Sequence, residues 1–383
     1  MMNLQLLNKI AKVGLDELRG EYNIGETVEN PDGILVRSAV MHEMEFGSNL
    51  KAIARAGAGV NNIPIDRCSQ QGVVVFNTPG ANANGVRELA VCALLLAARD
   101  VVGGIEWAKT LTEDVAKQVE KGKSKFAGTE IAGKTLGVIG LGAIGGMLAN
   151  TAIHLGMTVI GCDPFLSVEG AWNLSRHVSR AATFDEIFEQ ADYITLHVPA
   201  TAQTKGMINA DSIAKMKDGV KLLNLARADL VNAADLVAAL ESGKVSAYVT
   251  DFPTEEILHA PHTVAIPHLG ASTEESENNC AVMAARELED YLLNGNITNS
   301  VNFPNVSSPR TGSARICALH ANVPAVLTQI TGALADEGLN IENMTNKSKG
   351  DNAYTVLDVA ATPSDAAVAR IASISGMFKV RVI

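Results

Sequence analysis

The chain has 383 residues, enough for two or three domains, and 47% of them are apolar, which supplies sizeable cores. A formal net charge of −11 with a sequence pI near 5.3 argues against a nucleic-acid or anionic-membrane surface, while leaving room for a local basic pocket for a small anion. Five scattered cysteines without a CxxC pair suggest neither a disulfide framework nor a zinc site, so a reducing cytoplasm is expected. The first residues lack the apolar core of a signal peptide, and the longest apolar stretch, residues 89–98, is too short to span a bilayer.

In chain order, short apolar strand candidates at 4–7, 33–36, 52–54 and 73–76 alternate with helical segments, the pattern of a parallel α/β sheet. Two connections stand out as functional loops: Arg37-Ser38, just after a strand, and residues 55–62, with Gly57, Ala58, Gly59 and Asn61. Small residues and exposed amides suit the second loop to an anion, although a plain glycine turn explains the same residues. The apolar helix at 86–99 is expected in a core, with Arg87 at its start facing either a ligand or solvent. Residues 100–125 read as polar and helical, ending in a solvated charge run.

Residues 134–163 organise the chain. A buried strand at 136–139 runs into Gly140-Leu141-Gly142-Ala143-Ile144-Gly145, which opens an amphipathic helix, and a second strand at 158–162 ends in Asp163. Gly140 allows the tight turn, Gly142 lets the backbone approach a pyrophosphate, and Gly145 permits close packing of helix on strand. The helix N-terminus offers unpaired amides and a positive dipole end to the phosphates. Asp163 stands where an acid binds the adenosine ribose, and its carboxylate repels a 2′-phosphate, so NAD is expected over NADP.

Beyond Asp163, strands at 193–198, 219–225 and 247–250 continue the alternation. Residues 272–275 form a capping box before a long helix at 278–293, and residues 294–313 hold the Gly, Asn, Pro and Ser mixture of a linker. The remainder reads as βαββαβ, a small four-stranded antiparallel sheet backed by two helices. The expected class is α/β: two doubly wound parallel-sheet domains, a Rossmann-type cofactor domain at 99–274 and a flavodoxin-like substrate domain at 1–98 with 275–305, plus the small unit at 312–383.

Three strand ends hold charged residues suited to dehydrogenation: Arg227, Glu255 and His268. A histidine takes the hydroxyl proton, a carboxylate orients its imidazole, and an arginine binds a substrate carboxylate bidentately. The other histidines carry no such signal. His259 and His262 flank Pro261 without a common helical face, so no metal pair is expected, and His197 reads as structural.

The stretches GLGAIG, HVPATAQTKGMIN, NLARADLVNAADLVAAL, DFPTE and PHLGAS closely resemble the D-isomer-specific 2-hydroxyacid dehydrogenases over essentially the whole chain. The RS and RAGAGVNN loops and the C-terminal unit, which looks like an ACT domain, point to the branch that oxidises 3-phospho-D-glycerate. The resemblance implies catalytic places for Arg227, Glu255 and His268, and a nicotinamide carboxamide contact for Asp251. It implies cofactor contacts for Pro199, Thr204, Ala226 and Gly270, and substrate contacts for Arg37, Ser38, Gly57, Ala58, Gly59 and Asn61, with Arg87 as an alternative phosphate ligand. It also implies a discontinuous substrate domain and a homodimer formed through the cofactor domain, or a tetramer.

His320, Asn322 and Asn340 match the positions at which serine-regulated relatives hold L-serine as effector, with Ala325 where they have glycine. Ala228, Asn232 and Ala39 depart from the family pattern, and the segment from Asp251 to Glu255 is one residue short. Competing readings are oxidation of another small 2-hydroxyacid such as glyoxylate, lactate or 2-hydroxyglutarate, a non-catalytic NAD sensor, and a C-terminal unit that serves assembly alone.

Overall fold

Aliphatic runs bounded by glycine, proline and asparagine fold as parallel strands because each is buried on both faces. In a computed structural model that describes residues 1–383, the first five strands are β1 (Met2–Leu7), β2 (Tyr22–Gly25), β3 (Gly33–Val36), β4 (Ala52–Arg55) and β5 (Val74–Phe76). They pair in the order β2-β1-β3-β4-β5, the flavodoxin-like arrangement. Seven more follow: β6 (Thr135–Ile139), β7 (Thr158–Cys162), β8 (Val178–Arg180), β9 (Tyr193–Leu196), β10 (Val220–Asn224), β11 (Val245–Thr250) and β12 (Thr263–Ala265). Their order, β12-β11-β10-β9-β6-β7-β8, is the Rossmann order extended by one strand. The edge strands β2, β8 and β12 lie outside the sequence reading, because edge strands are held by backbone pairing and carry little apolar pattern.

The last four strands, β13 (Ala314–Ala321), β14 (Ile341–Lys349), β15 (Asn352–Val359) and β16 (Met377–Val382), form the expected antiparallel sheet in the order β14-β15-β13-β16.

The chain divides into two compact units, residues 1–81 with 277–383 and residues 82–276, so two of the expected boundaries move. The helix Ala83–Ala98 belongs to the second unit and not to the substrate domain, since Ala90, Ala93, Leu94 and Ala97 share a core with Leu136, Val138 and Leu148. The C-terminal sheet is not separate either. Alternation along β13 and β15 sends Ile316, Ala318, Leu357 and Val359 toward the helices Val326–Ala335 and Asp365–Ala372. The opposite face, Cys317, Leu319, Tyr354 and Val356, packs into one core with Phe76, Tyr291 and Phe303 of the flavodoxin-like layer.

The expected linker is therefore structural. Asn302 is buried, and its amide group accepts from Val75 N at 2.9 Å and donates to Val73 O at 2.9 Å, closing the edge of β5 as a peptide group would. Arg315 is fully buried and donates to both carboxylate oxygens of Asp358 at 2.7 and 2.9 Å. Its remaining N–H groups reach the carbonyls of Asn294, Ser308 and Pro309 at 2.9, 3.1 and 3.0 Å, fastening the segment to the sheet.

Burial pushes the Asp358 carboxyl up, but Arg315 and the Thr311 amide outweigh it and hold it below the usual carboxylate range. Removing one partner of a buried pair leaves an uncompensated charge and costs about 3–5 kcal/mol. Asp358→Ala should lower unfolding free energy by about that much in urea titrations at neutral pH. Because the folded group titrates below the unfolded one, its contribution is present above roughly pH 4 and fades as pH falls further. The difference between wild type and variant should shrink there.

Candidate active site

In the second unit, the carboxyl ends of β6, β7, β9, β10 and β11 collect residues far apart in sequence. Gly140 follows β6 at φ +91°, and a Cβ there would lie 2.6 Å from the His197 carbonyl oxygen. A Cβ on Gly145 would collide with the Gly140 carbonyl oxygen, so this glycine serves packing of helix on strand. Around Gly142 a Cβ would meet no protein atom within 4 Å. The fold itself does not require glycine at that position; an approaching pyrophosphate does. Gly142 is the N-cap of the helix Ala143–His154, whose first turn holds Ala143, Ile144 and Gly145.

Asp163 closes β7. One carboxylate oxygen accepts from Leu141 N and the other from Phe165 N, both at 2.9 Å, leaving a further lone pair on each for ribose hydroxyls. Beside it lies a cavity of about 580 Å³, lined by Leu141, Asp163, Pro164, Val178, Ser179 and Arg180 among others. Ser179 and Arg180 escape sequence reasoning because they sit on the edge strand β8. Glycine cradle, orphan helix amides and aspartate together fit a dinucleotide.

The loop after β9 is closed by Thr204, whose hydroxyl donates to Pro199 O at 2.6 Å. After β10, buried Asn224 accepts from Ala226 N at 3.2 Å and donates to Arg227 O at 2.9 Å, which fixes the backbone that carries Arg227. The Arg227 guanidinium lies 5.4 Å from the centroid of the Phe252 ring, and the His268 ring lies 4.3 Å from that same ring. Phe252, which sequence reasoning passed over, thus contacts both.

Asp251, within electrostatic reach of His268 and Arg227, is buried with one carboxylate oxygen unpaired. Burial pushes its carboxyl up, and the charges of His268 and Arg227 draw it partly back. A Cβ on Gly270 would lie 3.6 Å from the Asp251 carboxylate. Glu255, expected to orient His268, is instead exposed at the start of the short helix Glu255–Leu258 and is not hydrogen-bonded to His268. His197 is half-buried, bonds Thr195 Oγ1 at 2.9 Å and is pushed down to about 4 by desolvation, in keeping with a structural role.

In the first unit, the loops after β3, β4 and β5 form one cradle. Asn8 Oδ1 accepts from Ser38 N and Ala39 N at 2.9 and 2.8 Å, and shapes the turn carrying Arg37. Arg37 pairs with Glu277 at 2.5 Å, so an anion there would have to compete for its charge. Arg55, absent from the sequence candidates, donates from Nε to Arg37 O at 3.1 Å, and its guanidinium fills the space a Cβ on Gly57 would need. Asn77 Nδ2 donates to Ala58 O at 2.6 Å, Thr78 N to Gly57 O at 3.1 Å, and His42 bonds Asn61 O at 3.0 Å. Gly59 completes the loop. Arg87 lies in the other unit and pairs with Glu88 at 3.3 Å.

The effector candidates do not converge within one chain. His320 is buried, bonding Ala321 O and Thr355 Oγ1 at 2.8 Å each, and burial lowers its proton affinity. Asn322 donates to Gly350 O at 3.1 Å at one end of the sheet, whereas Asn340 precedes β14 at the other end. Ala325 adopts a left-handed backbone at φ +68°, a conformation that favours glycine.

Fold and site together define a two-unit α/β protein with a dinucleotide cradle. Residues 93–270 match the family described as D-isomer specific 2-hydroxyacid dehydrogenase, NAD binding domain. The chain is 33% identical over 367 residues to a D-3-phosphoglycerate dehydrogenase of Synechocystis, covering 92% of this chain and 63% of that protein. It is 31% identical over 372 residues to a putative D-3-phosphoglycerate dehydrogenase of Schizosaccharomyces pombe, covering 89% of this chain and 76% of that one. A crystal structure of the NAD+-bound 3-phosphoglycerate dehydrogenase of Entamoeba histolytica superposes with a TM-score of 0.61 at 27% identity, over 79% of this chain and 98% of that one. Against several curated relatives the chain spans only 52–63% of the relative's length. The chain belongs to the D-isomer-specific 2-hydroxyacid dehydrogenase family, and its second unit is the family's NAD-binding domain. No helix is long and apolar enough to cross a membrane.

The glycine geometry yields a sharp test. Gly142→Ala should leave thermal unfolding of the cofactor-free protein unchanged while weakening NADH binding at least about tenfold, measured by fluorescence titration. Gly145→Ala should instead lower the melting temperature.

Proposed function

We propose that this chain oxidises 3-phospho-D-glycerate to 3-phosphohydroxypyruvate with NAD. The observation that carries the reading is that Arg227 and His268 both lie against the Phe252 ring, at the same strand edge as the dinucleotide cradle. The glycine turn at Gly140–Gly145 and Asp163 would hold NAD, whose nicotinamide would supply the hydride acceptor for the carbinol carbon. His268 takes the hydroxyl proton at its imidazole as general base. Arg227 holds the substrate carboxylate through paired N–H donors and polarises the nascent carbonyl. We assign to Glu255 or Asp251 the carboxylate that steadies the imidazolium; the burial of Asp251 near His268 supports the latter. Arg37 and Arg55 supply two guanidinium groups for the phosphate, and the second offsets the missing arginine at Ala39.

We further propose that the C-terminal sheet is an ACT-like module answering to L-serine. Asn322 and Asn340, at opposite ends of one sheet, support a ligand shared between two chains. Assembly through the cofactor unit is supported by Leu95, Val101, Val102, Ile105 and Val115, which are 42–50% exposed. Ile105→Asp should place a charge in that stripe and shift the particle to half its mass in sedimentation velocity.

Losing a general base costs on the order of a hundredfold or more. His268→Asn should reduce kcat by at least that factor with NADH binding retained, and near-normal turnover would remove His268 from the role. Arg37→Ala should penalise 3-phosphoglycerate in kcat/KM well beyond lactate or 2-hydroxyglutarate, and equal losses on all three would move phosphate recognition elsewhere.

A further inference from the structure

The Rossmann sheet has a second edge. At the amino ends of β6, β9 and β10, opposite the glycine turn, lies a cavity of about 180 Å³ lined by Lys134, Asp192, Tyr193, Lys217, Asp218 and Lys221 among others. With about 30 Å³ per liquid water, it holds roughly six waters' volume, enough for one small polyatomic anion.

The groups present are unbalanced. Asp192 is already committed: its oxygens accept from Thr135 N at 2.8 Å and from Lys217 Nζ at 3.0 Å. Against the pull of burial, these partners hold its carboxyl below the usual range. Asp218 pairs with Lys244 at 2.8 Å. Lys134 and Lys221 are left without a carboxylate within ion-pair distance.

Lys221 is half-buried, with Nζ 5.1 Å from the Tyr193 ring centroid. Burial and the nearby Lys134 charge lower its proton affinity more than the Asp192 charge raises it, a residual cost that an anion would relieve. Tyr193 is 1% exposed, and its buried hydroxyl makes no well-formed hydrogen bond, although the Thr129 side chain lies close to it. A buried hydroxyl without a partner costs about 1–3 kcal/mol unless something fills its valence. Two ammonium groups and a phenol are donors here, while the two carboxylates are already engaged by Thr135 N, Lys217 and Lys244. The missing partner is an acceptor-rich anion, on a chain whose net charge of −11 otherwise repels one.

We propose that Lys134, Lys221 and Tyr193 form a binding site for a phosphate dianion, free or esterified, at the edge of the cofactor unit opposite the nucleotide cradle. Binding there stabilises the unit without competing with NAD. The proposal does not depend on the substrate assignment.

The test is thermal unfolding of the full chain in millimolar inorganic phosphate, against sodium chloride at equal ionic strength, with glycerol phosphate as a separate arm. Phosphate should raise Tm in wild type and in Arg37→Ala alike, chloride should not, and Lys221→Met should lose the rise. Tyr193→Phe, which keeps the ring in its core, should weaken apparent phosphate affinity severalfold, and the KM for NAD should not change with phosphate. A rise confined to one of the two ligands supports the site and identifies its source as free phosphate or an ester. An equal rise in Lys221→Met, loss of the rise in Arg37→Ala, a matching effect of chloride, or no rise in wild type with either ligand would overturn the proposal.

Discussion

Parallel pairing is the constraint on which the site depends. Every strand of a parallel sheet leaves by the same edge, so turns separated by more than a hundred residues must collect along one line. In the second unit this brings Gly140, Asp163, Ala226, Arg227 and Asp251 to the carboxyl edge, and the crossovers need only be long enough to return the chain to the other edge. The amino edge gathers its own set, Lys134, Asp192 and Lys221, by the same rule.

Within that edge, buried polar groups set the geometry of exposed ones. Asn224 is wholly buried, and because its amide ties the Ala226 and Arg227 backbones together, the arginine side chain starts from a fixed point. Asn8 does the same for the turn at Arg37. A buried amide left unpaired is costly, so these asparagines hold one rotamer and pass that order to the residues they bond.

The C-terminal sheet illustrates how a boundary legible in composition need not be a boundary in packing. Residues 294–313 contain the breakers of a linker, yet Asn302 pairs with β5 and Arg315 gathers three of the segment's carbonyls. Both faces of β13 and β15 are apolar, one for the helices and one for the flavodoxin-like layer. A free module would need a polar second face. Any ligand-driven change in this sheet acts on a layer already continuous with the loops that carry Arg37 and Arg55.

Local chemistry was legible in the sequence. The positive φ of Gly140, the close packing at Gly145 and the acid at Asp163 follow from sterics and spacing within thirty residues, and the strand and helix periods announced all three sheets. Family likeness, not spacing, named Arg227, His268 and Glu255; of these the structure leaves Glu255 exposed, while Asp251 lies buried near the histidine. Arg55 beside Arg37, Phe252 against both arginine and histidine, the helix Ala83–Ala98 in the cofactor unit and the C-terminal sheet in the first unit were decided only by tertiary structure. A sequence pattern reports that a face is apolar or that a residue is charged. Which face or charge it meets depends on contacts between segments distant in the chain, and those exist only once the sheets have packed.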